Sequence, residues 1–240
     1  MKLLSIAFSL LLLPVLAAVD VPAQLPQGGL DASDEPKPIV LPTPLKDLVP
    51  PDCPVRDAQR TMLSPKGELI ITCTRDFLAD GVSTHILVTD ERASVLKDID
   101  LNDLPANYGG FNGLEATKEV IGESNQHMFV VVFSTAGDGS GSAFFVIGYK
   151  NGKYHVLLDR SVSQGRIVFH PDAGSVDIWG ALYRKCPDEP LCVWCLHQYK
   201  IETYSWQSSR FRRKYSHLTK KCLDPDPIAS DPIIVDKKHS

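Results

Sequence analysis

Six cysteines offer the most specific chemistry in this chain. They are Cys53, Cys73, Cys186, Cys192, Cys195 and Cys222. In an exported protein an even number of cysteines predicts disulfides, here three. The spacing favours Cys53–Cys73, Cys186–Cys192 and Cys195–Cys222, and the main alternative for the last four is Cys186–Cys195 with Cys192–Cys222.

Cys192 and Cys195 also have the C-x-x-C spacing of thiol–disulfide oxidoreductases, in which the first sulfur is the nucleophile. That chemistry uses a helix N-terminus to stabilise the thiolate. Residues 193–204 instead have a strand-like pattern, which would point the two cysteines to opposite faces. A zinc site using Cys186, Cys192 and Cys195 with His197 or Cys222 is a further alternative, but an oxidising compartment favours disulfides. We therefore predict no metal and no cofactor.

A polar segment, Gly137-Asp138-Gly139-Ser140-Gly141-Ser142, separates two apolar runs. Its spacing matches neither of the glycine-rich phosphate-binding motifs nor a nucleophile elbow. As a calcium loop it lacks the glycine and the glutamate that the sixth and twelfth positions need. We interpret it as a flexible hairpin connection, with ligand binding by Asp138 and Ser140 as the alternative.

The run Arg210-Phe211-Arg212-Arg213-Lys214-Tyr215 concentrates positive charge in an otherwise acidic chain. Strand alternation would place Arg210, Arg212 and Lys214 on one face, and Phe211, Arg213 and Tyr215 on the other. Such a surface suits an anionic glycan, a lipid phosphate or an acidic protein. The alternative is an edge strand whose charge prevents aggregation. Arg210, Arg212, Arg213 and Lys214 are thus candidate ligand-binding residues, beside Asp138 and Ser140.

Short β-type runs separated by turn signals must position these groups. Strands are predicted at 68–74, 84–89, 127–133, 143–149, 153–158, 166–170, 175–182, 192–206 and 210–217. Asn151-Gly152 predicts a two-residue hairpin turn, and only 114–121 has a weakly helical pattern. The fold class is therefore all-β, an antiparallel sandwich, barrel or partial propeller-like sheet stapled by disulfides.

The segments outside these strands indicate how the chain is organised. Residues 1–18 have one lysine and then an apolar run too short to span a bilayer comfortably, which predicts a cleavable signal peptide. Residues 19–54 hold nine of the 18 prolines and predict a disordered linker. A single β-rich domain over 55–222 and a disordered tail over 223–240 complete the prediction. No second long apolar run exists, so no membrane span is expected.

Charge and motifs narrow the function. Removing the leader leaves 24 Lys and Arg against 29 Asp and Glu, a formal charge near −5, which argues against a nucleic-acid partner. No paired acid and base have the spacing of a hydrolase site. The sequence thus favours a secreted or periplasmic, non-enzymatic β-domain with a binding or structural role at the cell envelope or outside the cell. The alternative is a secreted hydrolase that joins Asp138 and Ser140 with His155 or His170.

Overall fold

Antiparallel strands account for most of the chain that the structure describes. The computed structural model describes residues 41, 43–74, 83–104, 111–122, 125–135, 141–182, 186, 192, 195–208 and 210–236. The predicted signal peptide, most of the proline-rich linker, and Asp138 and Ser140 lie outside these ranges. The strands are β1 Val55–Thr61, β2 Glu68–Thr74, β3 Thr84–Thr89, β4 Val95–Asp100, β5 Phe111–Ile121, β6 His127–Thr135, β7 Gly141–Lys150, β8 Lys153–Ser163, β9 Arg166–His170, β10 Ser175–Leu182, β11 Gln198–Gln207, β12 Arg210–Leu218 and β13 Ile233–Val235. An α-helical turn, α1, spans Asp226–Ala229, and short 3-10 helices lie at Leu45–Leu48, Leu101–Asp103 and Pro171–Ala173.

The strands form three sheets that follow chain order. Sheet A is β1-β2-β3-β4, sheet B is β5-β6-β7-β8, and sheet C is β12-β11-β10-β9-β13. All pairings are antiparallel except that of β13 with β9, which is parallel. The predicted all-β, antiparallel, disulfide-bonded class is confirmed. The sheets do not close into a barrel, and each four-stranded meander has the strand order from which propeller blades are built.

Sheet B lies between the other two sheets and is covered on both faces. In β6, Phe129, Val131 and Phe133 belong to the apolar cluster shared with sheet A. The alternate residues Met128, Val130 and Val132 belong to the cluster shared with sheet C. The nearly continuous apolar run in the sequence is therefore that of a strand buried on both faces.

The β7–β8 hairpin turns as predicted at Asn151-Gly152. Both residues have positive φ, 52° and 78°, and Lys150 pairs with Lys153 across the turn. Positive φ at both central residues defines the two-residue turn whose twist matches that of the flanking strands. This short connection fixes the register of sheet B.

The weak helix predicted over 114–121 is wrong, because the segment lies within strand β5. Its polar side chains bind sheet A. The Thr117 hydroxyl donates to Asp57 (2.6 Å) and accepts from the Gln59 amide (2.7 Å), and Glu119 accepts from the Met62 backbone N–H (3.1 Å). These contacts depend on the extended backbone, and they override a helical preference worth only tenths of a kcal/mol per residue.

The described structure continues beyond residues 55–222 at both ends. Leu41 and Cys53, from the predicted linker, are buried in an apolar cluster with β1 and β2. At the other end, the segment predicted as a disordered tail carries α1 and β13. Ile233 pairs with Ile167 and is 3% exposed. Strand β13 therefore adds a fifth strand to sheet C.

The three disulfides join Cys53 to Cys73, Cys186 to Cys222, and Cys192 to Cys195. The first pair is confirmed, whereas both predicted pairings of the other four cysteines are wrong. The reason is that β11 begins at Gln198, and the Cys195 N–H donates to the Cys192 carbonyl (3.4 Å) in a turn before it. The turn brings the two Cα atoms to 5.2 Å, so strand alternation does not separate the side chains. Among the described residues no helix is long and apolar enough to cross a membrane.

Candidate functional site

A cleft of about 510 Å³ lies beside the outer strands of sheets B and C, β8 and β12. Leu104 and the apolar residues of β8 form part of its wall. Its charged lining residues are Asp159, Arg160, Arg210, Arg212 and Arg213. Four arginines against one aspartate make the cleft strongly cationic.

Strand β12 presents its arginines around one buried anchor. It is the outer strand of sheet C, and all its residues except Phe211 are exposed. The Phe211 ring packs edge-on against Trp206, with 5.2 Å between centroids. Phe211 belongs to the core shared by sheets B and C. Because it is buried there, its neighbours Arg210 and Arg212 are positioned to line the cleft.

The predicted alternation along β12 stops at a bulge. Thr203 pairs with Tyr215 and Tyr204 pairs with Arg213, which leaves Lys214 without a partner residue on β11. Lys214 is exposed and does not line the cleft. The prediction that Arg210, Arg212 and Lys214 share one face is therefore wrong for Lys214. The bulge takes Lys214 out of the alternation, and Arg213 lines the cleft instead.

Arg160 of β8 is oriented by Tyr204. Its Nε donates to the Tyr204 hydroxyl (2.6 Å), and its guanidinium carbon lies 5.3 Å from the centroid of the Tyr204 ring. Burial raises the pKa of Tyr204. Burial is the largest single influence and would lower the pKa of Arg160, but the hydrogen bond to Tyr204 and the nearby charges of Asp159 and Glu202 together outweigh burial and raise that pKa. Both groups therefore keep their protons, and Arg160 remains a fixed cation.

Glu202 of sheet C binds two of the nearby cations and the Tyr204 hydroxyl. Its carboxylate accepts from the Tyr204 hydroxyl (2.7 Å), Lys200 (2.6 Å) and Arg213 (3.2 Å). Burial raises the pKa of Glu202, but these hydrogen bonds outweigh it and hold the pKa below its ordinary value. Arg210 and Arg212, by contrast, form no ion pair with any residue in the described ranges, so their guanidinium groups face solvent.

The histidines of the predicted hydrolase lie apart. His155 is on β8 next to the Asn151 turn, where it pairs with Gly148. Thr135 and Gly141 pair with each other at the other end of sheet B. His170 ends β9 in sheet C, between the carboxylates of Asp177 (3.2 Å) and Asp236 (3.3 Å). His155 and His170 thus lie on different sheets, and the Asp138 and Ser140 of this alternative lie outside the described residues.

Arg160 and its partner Tyr204 are not among the site residues predicted from the sequence. A signal for Arg160 exists, because Asp159-Arg160 interrupts the apolar residues of β8 between Leu158 and Val162. A charged pair inside an otherwise apolar strand indicates a polar contact across the sheet or a site. The identity of the partner could not be read from spacing, because Tyr204 is 44 residues away.

Comparison of the sequence with models of known protein families gave no match, and comparison with curated proteins gave none. No group of three or more His, Cys, Asp or Glu side chains in the described part of the chain could hold a metal ion. All six cysteines are paired in disulfides.

Proposed function

We propose that this protein is an exported binding domain that takes an anionic ligand in the cleft between β8 and β12. The observation that carries the proposal is the convergence of four arginines from two sheets on one cleft. The formal charge of the whole chain is −4, so this cluster is not a by-product of a basic composition.

The chemistry of arginine specifies the kind of group that would bind. Each guanidinium presents a planar set of donors that matches the oxygens of a carboxylate, sulfate or phosphate group two at a time. Arg160 is already positioned by Tyr204, so binding would cost little of its side-chain entropy. Arg210 and Arg212, two residues apart on one strand, would lie about 7 Å from each other. This spacing suits a ligand with more than one anionic group.

Two features outside the cleft support the proposal that the protein is exported. The leader-like N-terminal sequence and the three disulfides both support export to an oxidising environment. Anionic glycans, lipid phosphates and acidic proteins all occur there and share the recognised chemistry. A binding role also needs no catalytic group, and the charged lining of the cleft is dominated by its four arginines, with Asp159 the one carboxylate among the described lining residues.

The test measures binding of three probes in parallel: heparin, phosphatidylglycerol vesicles and polyglutamate. The variant is R210A/R212A/R213A. The matched control, K66A/R92A/K97A, removes three exposed cations from sheet A and its turns. Loss of several charge-assisted hydrogen bonds should weaken binding of at least one probe by tenfold or more, on the order of 1.5–3 kcal/mol for each bond. The control should change affinity by less than about twofold.

Two further results sharpen this test. Arg160→Lys keeps the charge but loses the fork geometry and the contact with Tyr204, so it should also weaken binding. Equal losses in the two triple variants would show a general charge effect and contradict the proposal. Absence of binding to all three probes at low ionic strength would overturn it.

A further inference from the structure

The Cys192–Cys195 disulfide differs from the other two in exposure. Cys192 is exposed and Cys195 is half-buried. Cys53 and Cys73 are 3% and 0% exposed within an apolar cluster, Cys186 is 4% exposed, and its partner Cys222 is half-buried, so Cys192 is the one exposed cysteine of the six. Thiol–disulfide exchange requires a thiolate to reach a sulfur atom, so Cys192 is the sulfur of this pair most open to attack from solution.

The same disulfide also contributes least to the stability of the fold. It closes a loop with a sequence separation of 3, against 20 and 36 for the others. The loop-entropy term of disulfide stabilisation grows with the logarithm of loop length, as 1.5R ln n. Expressed as a factor in the folding equilibrium constant, this bond therefore stabilises the fold at least about tenfold less than either of the others. Because stabilisation is reciprocal, the fold in turn protects this bond least.

The start of strand β11 is held by contacts other than the Cys192–Cys195 disulfide. His197, two residues beyond Cys195, donates from its N–H to the Leu223 carbonyl (2.9 Å), and Leu223 donates back to the His197 carbonyl (2.8 Å). Leu223 follows Cys222, whose own disulfide to Cys186 anchors that segment. The start of β11 therefore stays fixed when Cys192 and Cys195 separate.

We propose that Cys192 and Cys195 form a reversible redox site that exchanges electrons with external dithiols, independently of anion binding. A thiolate of the donor attacks the Cys192 sulfur, the Cys192–Cys195 bond breaks, and Cys195 leaves as a thiolate that takes up a proton. The second donor thiolate then attacks the donor sulfur of the mixed disulfide and releases Cys192. Two electrons pass to the pair, and the donor becomes a cyclic disulfide.

The primary test is a graded reduction of the full chain. The oxidised protein is equilibrated with increasing dithiothreitol, quenched in acid and alkylated, and each cysteine is quantified by peptide mass spectrometry. The Cys192–Cys195 pair should be half-reduced at a dithiothreitol concentration at least about tenfold lower than the other two pairs. Oxidised glutathione should restore it. At that point circular dichroism and the urea midpoint should be unchanged.

Single-cysteine variants identify the attacked sulfur. With oxidised glutathione, C195S should form a mixed disulfide at Cys192 faster than C192S forms one at Cys195, because Cys192 is more exposed. C192S/C195S should fold with a near-wild-type urea midpoint, whereas C53S/C73S should be clearly destabilised. Reduction of all three disulfides together, or loss of the fold on reducing Cys192–Cys195, would overturn the proposal. Faster capture at Cys195 would overturn the assigned mechanism.

Discussion

The two faces of sheet B are packed differently. On the face toward sheet A, Phe111, Phe133 and Phe145 form a ring cluster with centroids 5.1–6.1 Å apart, and all three are fully buried. The face toward sheet C has a core of aliphatic side chains with separate aromatic rings, Phe144, Phe169 and Phe211 among them. It ends at the cleft lined by Arg160, whose guanidinium contacts Tyr204. One interface is closed by aromatic packing, and the other opens into charged side chains. A central sheet can thus gain stability on one face and leave room for a site on the other.

The polar contacts between sheets A and B also differ from those between sheets B and C. Between sheets A and B, the Tyr154 hydroxyl donates to Glu68 (2.7 Å), which is 3% exposed. Burial and then this hydrogen bond raise the pKa of Tyr154 to about 12, so the contact is a neutral hydroxyl donating within the protein interior. Between sheets B and C, Tyr204 instead connects Arg160, which lines the cleft, to Glu202.

The largest loss of stability is expected from a substitution on the face of sheet B that packs against sheet A. Phe133→Ala removes a fully buried ring and should lower the free energy of unfolding by about 3–5 kcal/mol in urea titrations. Phe133→Leu should cost less than half as much. Anion binding by the folded fraction should be unchanged, because Phe133 does not line the cleft. A loss below about 1 kcal/mol would show that this interface is not tightly packed.

A smaller loss of stability is expected from a substitution at Glu202, and its size depends on pH. Its pKa is lowered in the folded state, so its stabilisation is fully present above the unfolded value of about 4.3 and is lost as the pH falls through the folded value. Glu202→Gln should cost about 1 kcal/mol at pH 7, and this difference should shrink toward pH 3. Urea midpoints measured across that range provide the check.

Glu91→Gln is the matched control for the pH series, because Glu91 is 76% exposed and pairs only with an exposed arginine at 3.3 Å in the described chain. Its urea midpoint should follow that of the wild type at every pH. A difference at Glu202 that stays constant from pH 7 to pH 3 would contradict the role assigned to its charge.

The smallest effect is expected at Arg60, on the surface of sheet A. Its ion pair with Glu91 spans 3.3 Å, and the side chains are 78% and 76% exposed. Because solvent screens such pairs, Arg60→Ala should change the free energy of unfolding by no more than about 0.5 kcal/mol. A change above about 1 kcal/mol would mean that exposed charges stabilise sheet A as strongly as the buried network stabilises sheet C.

Local patterns predicted the strands well where they were strong. The bounds of β2, β3, β9 and β10 agree with the prediction, because β-branched runs there end at clear turn signals. The prediction failed where distant residues decide the structure. Thr117 and Glu119 make β5 a strand through sheet A, and Ile233 becomes a strand by pairing with β9.

The candidate site also depends on contacts between distant residues, which the sequence does not reveal. The cations of β12 are visible in the sequence, but the cleft exists only because β8 and β12 come from sheets that pack against each other. Disulfide partners likewise depend on where turns place the chain, as with Cys186 and Cys222, which are separated by 36 residues. The C-x-x-C pair was misjudged because strand β11 was expected to begin six residues too early.

The bulge at Lys214 has a consequence for solution behaviour. A long, regular outer strand offers unpaired backbone groups to any similar strand, and edge-to-edge association follows. The break in register at Lys214 and the surrounding positive charge both oppose such pairing between copies of this chain. The edge of sheet C therefore favours a dispersed protein at high concentration, and variants that remove its arginines are expected to self-associate more readily than the wild type.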